Sequence, residues 1–293
     1  MVAFLYYTSS AIAMHPNPVG TLSDKLSLFA VTVADVGFPE FFQRDDFGNN
    51  IKKLEILHSK INPEIFRRLP ESLKELSMNS VKDLDGNILT VDQFLESLPH
   101  LKTLTLENQH IDDSAISLIT QMPGLKNLNL SNNQITGEGF LKILALQGLE
   151  SLDLSHNQIG SFKPTRIAPV RIKRLNLNHN QIKDQDAYYI AQIKAVEILN
   201  LAENQIGDTG VSYIARMQGL ETLNLSHNEI GDEGAESLAD MQGLKHLLLK
   251  SNRIEDAGAA HIAQMAHIGC LELESNQIAA AGAPLLVCTT LPP

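Results

Sequence analysis

The stretch Leu220–Gln242, LETLNLSHNEIGDEGAESLADMQ, is a complete structural unit in 23 residues. Leu220, Leu223, Leu225, Asn228 and Ile230 form the pattern L-x-x-L-x-L-x-x-N-x-I, and Asp232 to Ala239 then carry apolar residues at helical spacing. Strict alternation through Leu223, Asn224 and Leu225 sends two leucines to one face of a strand and an asparagine to the other. A buried Asn228 is expected to satisfy backbone groups where the chain turns away from the strand. One strand, one turn and one short helix cannot enclose these leucines, so the unit must stack on copies of itself.

The copies begin at Leu101, Leu125, Leu149, Ile172, Val196, Leu220, Leu244 and Ile268, at intervals of 24, 24, 23, 24, 24, 24 and 24 residues. The turn asparagine recurs as Asn133, Asn157, Asn180, Asn204, Asn228, Asn252 and Asn276, with Gln109 in the first copy. Two looser copies precede them, Ile51-Leu54-Ile56 and Leu73-Leu76-Met78. Pattern and period resemble those of leucine-rich repeats. The resemblance implies an α/β solenoid of about ten repeats, a curved horseshoe with a parallel concave sheet and a mostly helical convex face.

The organisation that follows is an N-terminal cap over 1–50, irregular leading repeats over 51–100, eight regular repeats over 101–278 and a C-terminal helix or cap over 279–293. In the first 50 residues, Leu22 to Val36 have a plausible helix start at Ser23-Asp24, and Phe38, Phe41, Phe42 and Phe47 suit the covering of an open end. A recruitment module such as an F-box is the other reading of this segment, but the Leu-Pro start of that family is missing. A further helix is expected from Val91 to Leu98 after the turn Asp85-Gly86-Asn87. Between Ile159 and Ile172, Pro164 and Pro169 forbid a regular helix and imply a thinner convex layer or a second contact site.

Asp184, Asp208, Asp232 and Asp256 each precede an alanine-rich or aliphatic turn, where each is expected to cap the free amides of its own helix. Together with helices such as Gly234-Ala235-Glu236-Ser237-Leu238-Ala239, these repeats closely resemble the GALA-type repeats in effector proteins of host-associated bacteria and, more distantly, ribonuclease inhibitor. That resemblance covers about residues 101–288. It implies either a protein that obstructs its partner or an adaptor to ubiquitin-ligase machinery.

Composition restricts the setting. The net charge of -11 divides as -3, -1 and -7 over residues 1–50, 51–171 and 172–293, and an acidic surface repels phosphate backbones, so nucleic acid is an unexpected partner. Two cysteines, Cys270 and Cys288, are too few for a disulfide framework and read as thiols in a reducing compartment. Ala11-Ile12-Ala13 resembles a signal-peptide cleavage site, but no lysine or arginine precedes the apolar run. The glycosylation triplets Asn129-Leu130-Ser131 and Asn224-Leu225-Ser226 would place glycans on the concave face. No stretch is long and apolar enough for a bilayer. The expectation is a bacterial cytoplasmic protein, open to delivery into a host cytosol, monomeric when free and without membrane contact.

Function has to come from the outward strand positions. The central ladder includes Asp153, Asn176, Asn200, Asn224, Leu248 and Glu272; the ladder before it Arg174, Ile198, Thr222, His246 and Cys270; the ladder after it Asn178, Lys250 and Glu274. Ile198 and Leu248 read as exposed aliphatics among polar neighbours, Arg174 as the central cation, and Lys250, Glu272 and Glu274 as a charged end. Apolar centres inside a polar rim are how interfaces gain energy, so these residues are the expected contact surface for a folded protein partner.

Catalysis and metal binding have little support. His156, His179 and His227 recur just after their strands, but Glu203 interrupts the series and puts His227 two strands from His179. Cys270 and His246 are the nearest approach to a thiol and base, on an open face with no sign of an oxyanion site. No cofactor, metal or catalytic residue is therefore expected.

Overall fold

The computed structural model describes residues 4–7 and 30–34 as backbone, and residues 52–164, 167, 170–265 and 267–279. They belong to two compact units, Met1–Asn133 and Gln134–Pro293.

In the first unit six parallel strands follow chain order: β1 (Phe4–Tyr7), β2 (Ala30–Ala34), β3 (Lys53–Leu57), β4 (Glu75–Asn79), β5 (Thr103–Glu107) and β6 (Asn127–Asn129). Lys53 is in register with Glu75, Glu75 with Thr103, and Thr103 with Asn127. Leu54, Leu76, Leu104 and Leu128 fall on the buried face, as alternation requires. The sheet starts earlier than the repeats do. Ala30-Val31-Thr32-Val33-Ala34 pairs with β3 as a strand where the sequence suggested a helix, the run of β-branched residues prevailing over the cap signal. The Val91–Leu98 helix is instead two separate 3-10 turns, Val91–Gln93 and Leu95–Ser97. They break at Phe94 (φ -141°, ψ -27°), whose buried ring packs 4.9 Å from that of Phe66. One α-helix, α1 (Asp113–Ile119), follows β5.

The second unit continues the pattern with β7 (Ser151–Asp153), β8 (Arg174–Asn176), β9 (Ile198–Asn200), β10 (Thr222–Asn224), β11 (His246–Leu248) and β12 (Cys270–Glu272), parallel and in order. Behind the sheet lie α2 (Gly137–Ile143), α3 (Asp184–Ile190), α4 (Asp208–Ile214), α5 (Asp232–Ala239) and α6 (Asp256–Ile262). Helices of two turns are marginal alone, so packing decides them: Val211 and Ile214, Ala235 and Leu238, Ala259 and Ile262 are buried at i,i+3 spacing against the sheet. Between β7 and β8 the described residues form no helix. There Phe162 and Val170 are buried, and the Phe162 ring meets Phe140 edge-on at 5.3 Å.

The ten repeat starts read from the sequence correspond one to one to β3–β12, and the asparagines do what their spacing suggested. Asn204 is representative: its Oδ1 accepts the N–H groups of Asn180 and Ile182 at 3.0 and 2.9 Å, and its Nδ2 lies 3.0 Å from the carbonyls of Leu177, Leu201 and Ala202. Gln109 fills the same place in its repeat, pairing with both backbone groups of Val81. The residue before each ladder amide is left-handed, from Asn108 (φ 54°) and Asn132 (φ 55°) through His156 (φ 55°), His179 (φ 54°), Glu203 (φ 53°) and His227 (φ 57°) to Ser251 (φ 55°) and Ser275 (φ 58°). Histidine and asparagine tolerate that conformation better than most residues, which accounts for the aligned histidines.

The aspartates differ from expectation. They are the first helical residues, not caps of their own helices, and each reaches into the next repeat. Asp184 Oδ1 accepts the Gly207 N–H at 2.7 Å, Asp208 the Gly231 N–H at 2.7 Å, Asp232 the Glu255 N–H at 2.8 Å and Asp256 the Ala279 N–H at 2.8 Å. A carboxylate at the start of the following helix satisfies amides that have no partner within it. Apart from β1, β2 and Ala279, the proposed caps over 1–50 and 279–293 lie outside the described residues.

Candidate functional site

All thirteen candidate contact residues lie in the second unit on the sheet face opposite the helices. Arg174, Ile198, Thr222 and His246 are consecutive partners across β8–β11, and Asp153, Asn176, Asn200, Asn224, Leu248 and Glu272 across β7–β12. Asn178, Lys250 and Glu274 follow their strands on the same side.

Much of the polar surface is already committed. Asp153, Asn176, Asn200 and Asn224 each accept the backbone N–H two residues on, from Ser155, Asn178, Ala202 and Ser226, at 2.9 to 3.2 Å. Asn176 Nδ2 also donates to Asp153 Oδ2 at 2.9 Å. The asparagine ladder therefore ends the strands, its side-chain oxygens engaged by the chain's own backbone. Lys250 Nζ stands 3.5 Å from Glu274, so part of the charged end is paired internally. Arg174 is exposed, whereas Ile198, Thr222, His246 and Glu272 are half-buried by their ladder neighbours.

Leu248 corrects the sequence reading. It is only 6% exposed and is not an outward aliphatic: in a parallel ladder, side chains about 4.8 Å away on both sides shield a residue that alternation alone places outside. Cys270 is another correction, since it is disulfide-bonded and offers no thiol to His246. The Nδ1 of His246 and the Oδ1 of Asn178 are buried without a hydrogen-bond partner, and both belong to this face. His156 and His179 stack with centroids 4.8 Å apart, and His179 Nδ1 lies 3.1 Å from Glu203 Oε2. Stacked imidazoles direct their nitrogen lone pairs sideways instead of toward a common ion.

The sequence reading gave little weight to the helix side. Tyr188 meets Tyr189 and Tyr213 edge-on at 5.2 and 5.1 Å, Tyr189 lies 5.8 Å from Phe162, and the Arg216 guanidinium sits 5.8 Å from the Tyr213 ring centroid. Tyr188 is 42% exposed. Around Phe162 an open pocket of about 390 Å³ is bordered by Glu138, Leu141, Phe162 and Lys163. Tyrosine spacing at 188, 189 and 213, one repeat apart and next to the proline break, was the available signal.

Leucine rich repeat models match residues 123–164, 172–191, and 194–254 with 218–278. The repeats of this chain are leucine-rich repeats. No curated protein matches the chain. Among solved structures, this leucine-rich-repeat chain is similar to an internalin from Listeria monocytogenes, with TM-score 0.60 and 19% identity over 90% of this chain and 79% of that one. It is also similar to the mouse RP105/MD-1 complex, with TM-score 0.58 and 17% identity over 86% of this chain and 51% of that one. An internalin C2 from Listeria monocytogenes gives TM-score 0.50 and 24% identity over 64% of this chain and 76% of that one. At these identities the likeness is one of fold. A leucine-rich-repeat fold is a protein–protein interaction module, and no described helix is long and apolar enough to cross a membrane.

Proposed function

We propose that the chain is a noncatalytic recognition protein, without cofactor, that seats a folded partner on the open sheet face of its second unit and blocks that partner's functional site. The supporting observation is the unbroken register of Arg174, Ile198, Thr222 and His246, an exposed cation beside half-buried apolar and polar groups over four strands. Six strands at about 4.8 Å spacing offer a face roughly 24 Å long, suited to a protein and not to a metabolite. Because the asparagines are tied to their own backbone, Arg174 and Ile198 carry most of the binding energy in this reading.

The partner is a host protein or another bacterial effector, as the GALA resemblance implies, and the free chain is a monomer. A cytoplasmic site of action in the bacterium or a host follows from the same resemblance. The Cys270 disulfide stands against it, since such bonds persist in oxidising compartments. Thiol titration of freshly isolated protein decides between the two. The second reading, an adaptor, needs another docking surface, and the aromatic strip around Tyr188 and Tyr213 is the observation that favours it.

Affinity purification from host and bacterial lysates with mass spectrometry identifies the partner. The double change Arg174→Glu with Ile198→Asp is expected to abolish its capture, and Tyr188→Asp to leave it intact. Wild-type capture by a well-folded Arg174/Ile198 variant would move the interface to the helix side. For a captured enzyme or receptor, loss of its activity on binding marks an antagonist and retained activity an adaptor.

A further inference from the structure

Helices α3 and α4 carry tyrosine where the repeat does not require it. Tyr189 and Tyr213 hold one helical position in successive repeats, and that position is Ser237 in α5 and His261 in α6. The position of Tyr188 becomes Ser212 and then Glu236, and that of Arg216 becomes Asp240. The inward positions of the same helices stay aliphatic and buried throughout, so the core is complete without these side chains. They nevertheless form one continuous row. Phe162 lies 5.8 Å from Tyr189, Tyr189 5.2 Å from Tyr188 and Tyr188 5.1 Å from Tyr213, whose ring centroid is 5.8 Å from the Arg216 guanidinium. The row climbs out of the core: Phe162 is buried, Tyr189 and Tyr213 half-buried and Tyr188 exposed. Rings already packed against one another have little freedom left to lose on binding, and tyrosine and arginine are the side chains that concentrate energy at the centre of an interface.

The free polar groups along the row are donors. The hydroxyls of Tyr188, Tyr189 and Tyr213 bond to no described residue, and Lys163 and Arg216, exposed at its two ends, form no ion pair among the described residues. The neighbouring carboxylates are engaged. Asp184 accepts the Gly207 N–H, Asp186 those of Ser161 and Phe162, and Asp208 those of Gly231 and Gly234, while Glu138 stands 3.6 Å from Lys142. One repeat further on the character reverses, with Glu233, Glu236 and Asp240 exposed along α5 and its end.

We propose that this row is a docking site for a short segment of a partner protein that has an apolar or aromatic centre and a carboxylate on each side, a site separate from the open sheet face. The centre lies over Tyr188 and Tyr213; one carboxylate meets Arg216 and the other meets Lys163, at the mouth of the pocket beside Phe162. The tyrosine hydroxyls donate to carbonyls of the segment. The acidic α5 bounds the site on one side, and the chain's net charge of -11 keeps an acidic segment from most of the remaining surface.

The test pans random heptapeptides displayed on phage against the full chain, with counterselection on a Tyr188→Ser, Arg216→Gln double variant. Enriched peptides are expected to carry acidic residues around an aliphatic or aromatic centre. The leading peptide, labelled with fluorescein and followed by anisotropy, should bind more weakly as salt rises and lose about tenfold or more in affinity with Tyr188→Ser and with Arg216→Gln taken singly. It should bind the Arg174→Glu, Ile198→Asp variant as it binds wild type, which keeps this site distinct from the sheet face. Both single changes are at exposed side chains, and circular dichroism melts check that the fold is kept. No enrichment over the double variant, enrichment of basic peptides, a leading peptide indifferent to both single changes, or one lost only with Arg174→Glu and Ile198→Asp would each overturn the proposal.

Discussion

Asp208 and Gly234, 26 residues apart, are shaped for one another: the aspartate Oδ1 accepts the Gly234 N–H at 3.0 Å, and a Cβ at 234 would stand 2.6 Å from that same oxygen. Gly210 against Asp184, and Gly258 against Asp232, leave as little room, with Cβ positions 2.5 and 2.4 Å from the carboxylate oxygen. Where the chain departs from the rule, it departs at both ends. The aspartate position of the fifth repeat is Gly160, and the glycine position of the following helix is Asp186, whose carboxylate reaches back to the N–H groups of Ser161 and Phe162 at 3.1 and 3.2 Å.

Gly234→Ala is therefore expected to destabilise, although alanine is the better helix former. The clash with Asp208 should cost about 1 to 3 kcal/mol, against roughly 0.5 to 1 kcal/mol of helical gain. Adding Asp208→Ala should recover part of the loss. Urea unfolding of the two single variants and the double variant measures this, and a stabilised Gly234→Ala protein would dissolve the pairing.

Asn204→Leu is expected to be more damaging than Asn200→Ser. The first removes hydrogen bonds to five buried backbone groups, and each stranded group costs on the order of 1 to 3 kcal/mol. The second exchanges one short acceptor for another at the Ala202 N–H. Thermal melts of both proteins compare them directly, and equal melting temperatures would mean the strand faces are misassigned.

Leu248→Asp should lose roughly 2 kcal/mol or more, because it places a carboxylate in a buried site, while Ile198→Asp, half-buried, should lose less. Circular dichroism with denaturant ranks the two. If they are equally mild, Leu248 faces solvent after all.

Asp112 caps α1, its carboxylate accepting from the Ser114 hydroxyl and from the N–H groups of Ser114 and Ala115. The Ser114 hydroxyl, chiefly, holds its pKa below the ordinary 3.8. A folded-state pKa below the unfolded one gives stability that is complete above the unfolded value and is lost as pH falls through the folded one. Asp112→Ala should accordingly cost about 1 kcal/mol at neutral pH, with the difference from wild type shrinking only in strong acid. Parallel denaturation series at pH 7 and pH 2 would show it.

The leucines announced the strands because alternation and a fixed period are local properties: ten anchors led to β3–β12 and to the inward amides. What escaped the sequence depended on neighbours one repeat away. The aspartates sit where a cap belongs, so nothing local shows that their hydrogen bonds go 23 residues onward. Leu248 alternates outward, yet adjacent ladders shield it. The exchange of Gly160 with Asp186 was visible in principle, as two departures from consensus separated by the same 26 residues as Asp208 and Gly234.

The two columns point in opposite directions along the array. Asn204 completes the turn of the repeat before it, and Asp208 completes the helix start of the repeat after it. An interior repeat cannot loosen without its neighbours, whereas a terminal one has only a single side to hold it. Amide exchange should consequently be slower at β9 and β10, which have strands on both sides, than at β12, the last described strand, as cloth frays from its hem. A partner centred on Ile198 would then meet a slowly opening surface, and one gripping β12 would have to order what it binds.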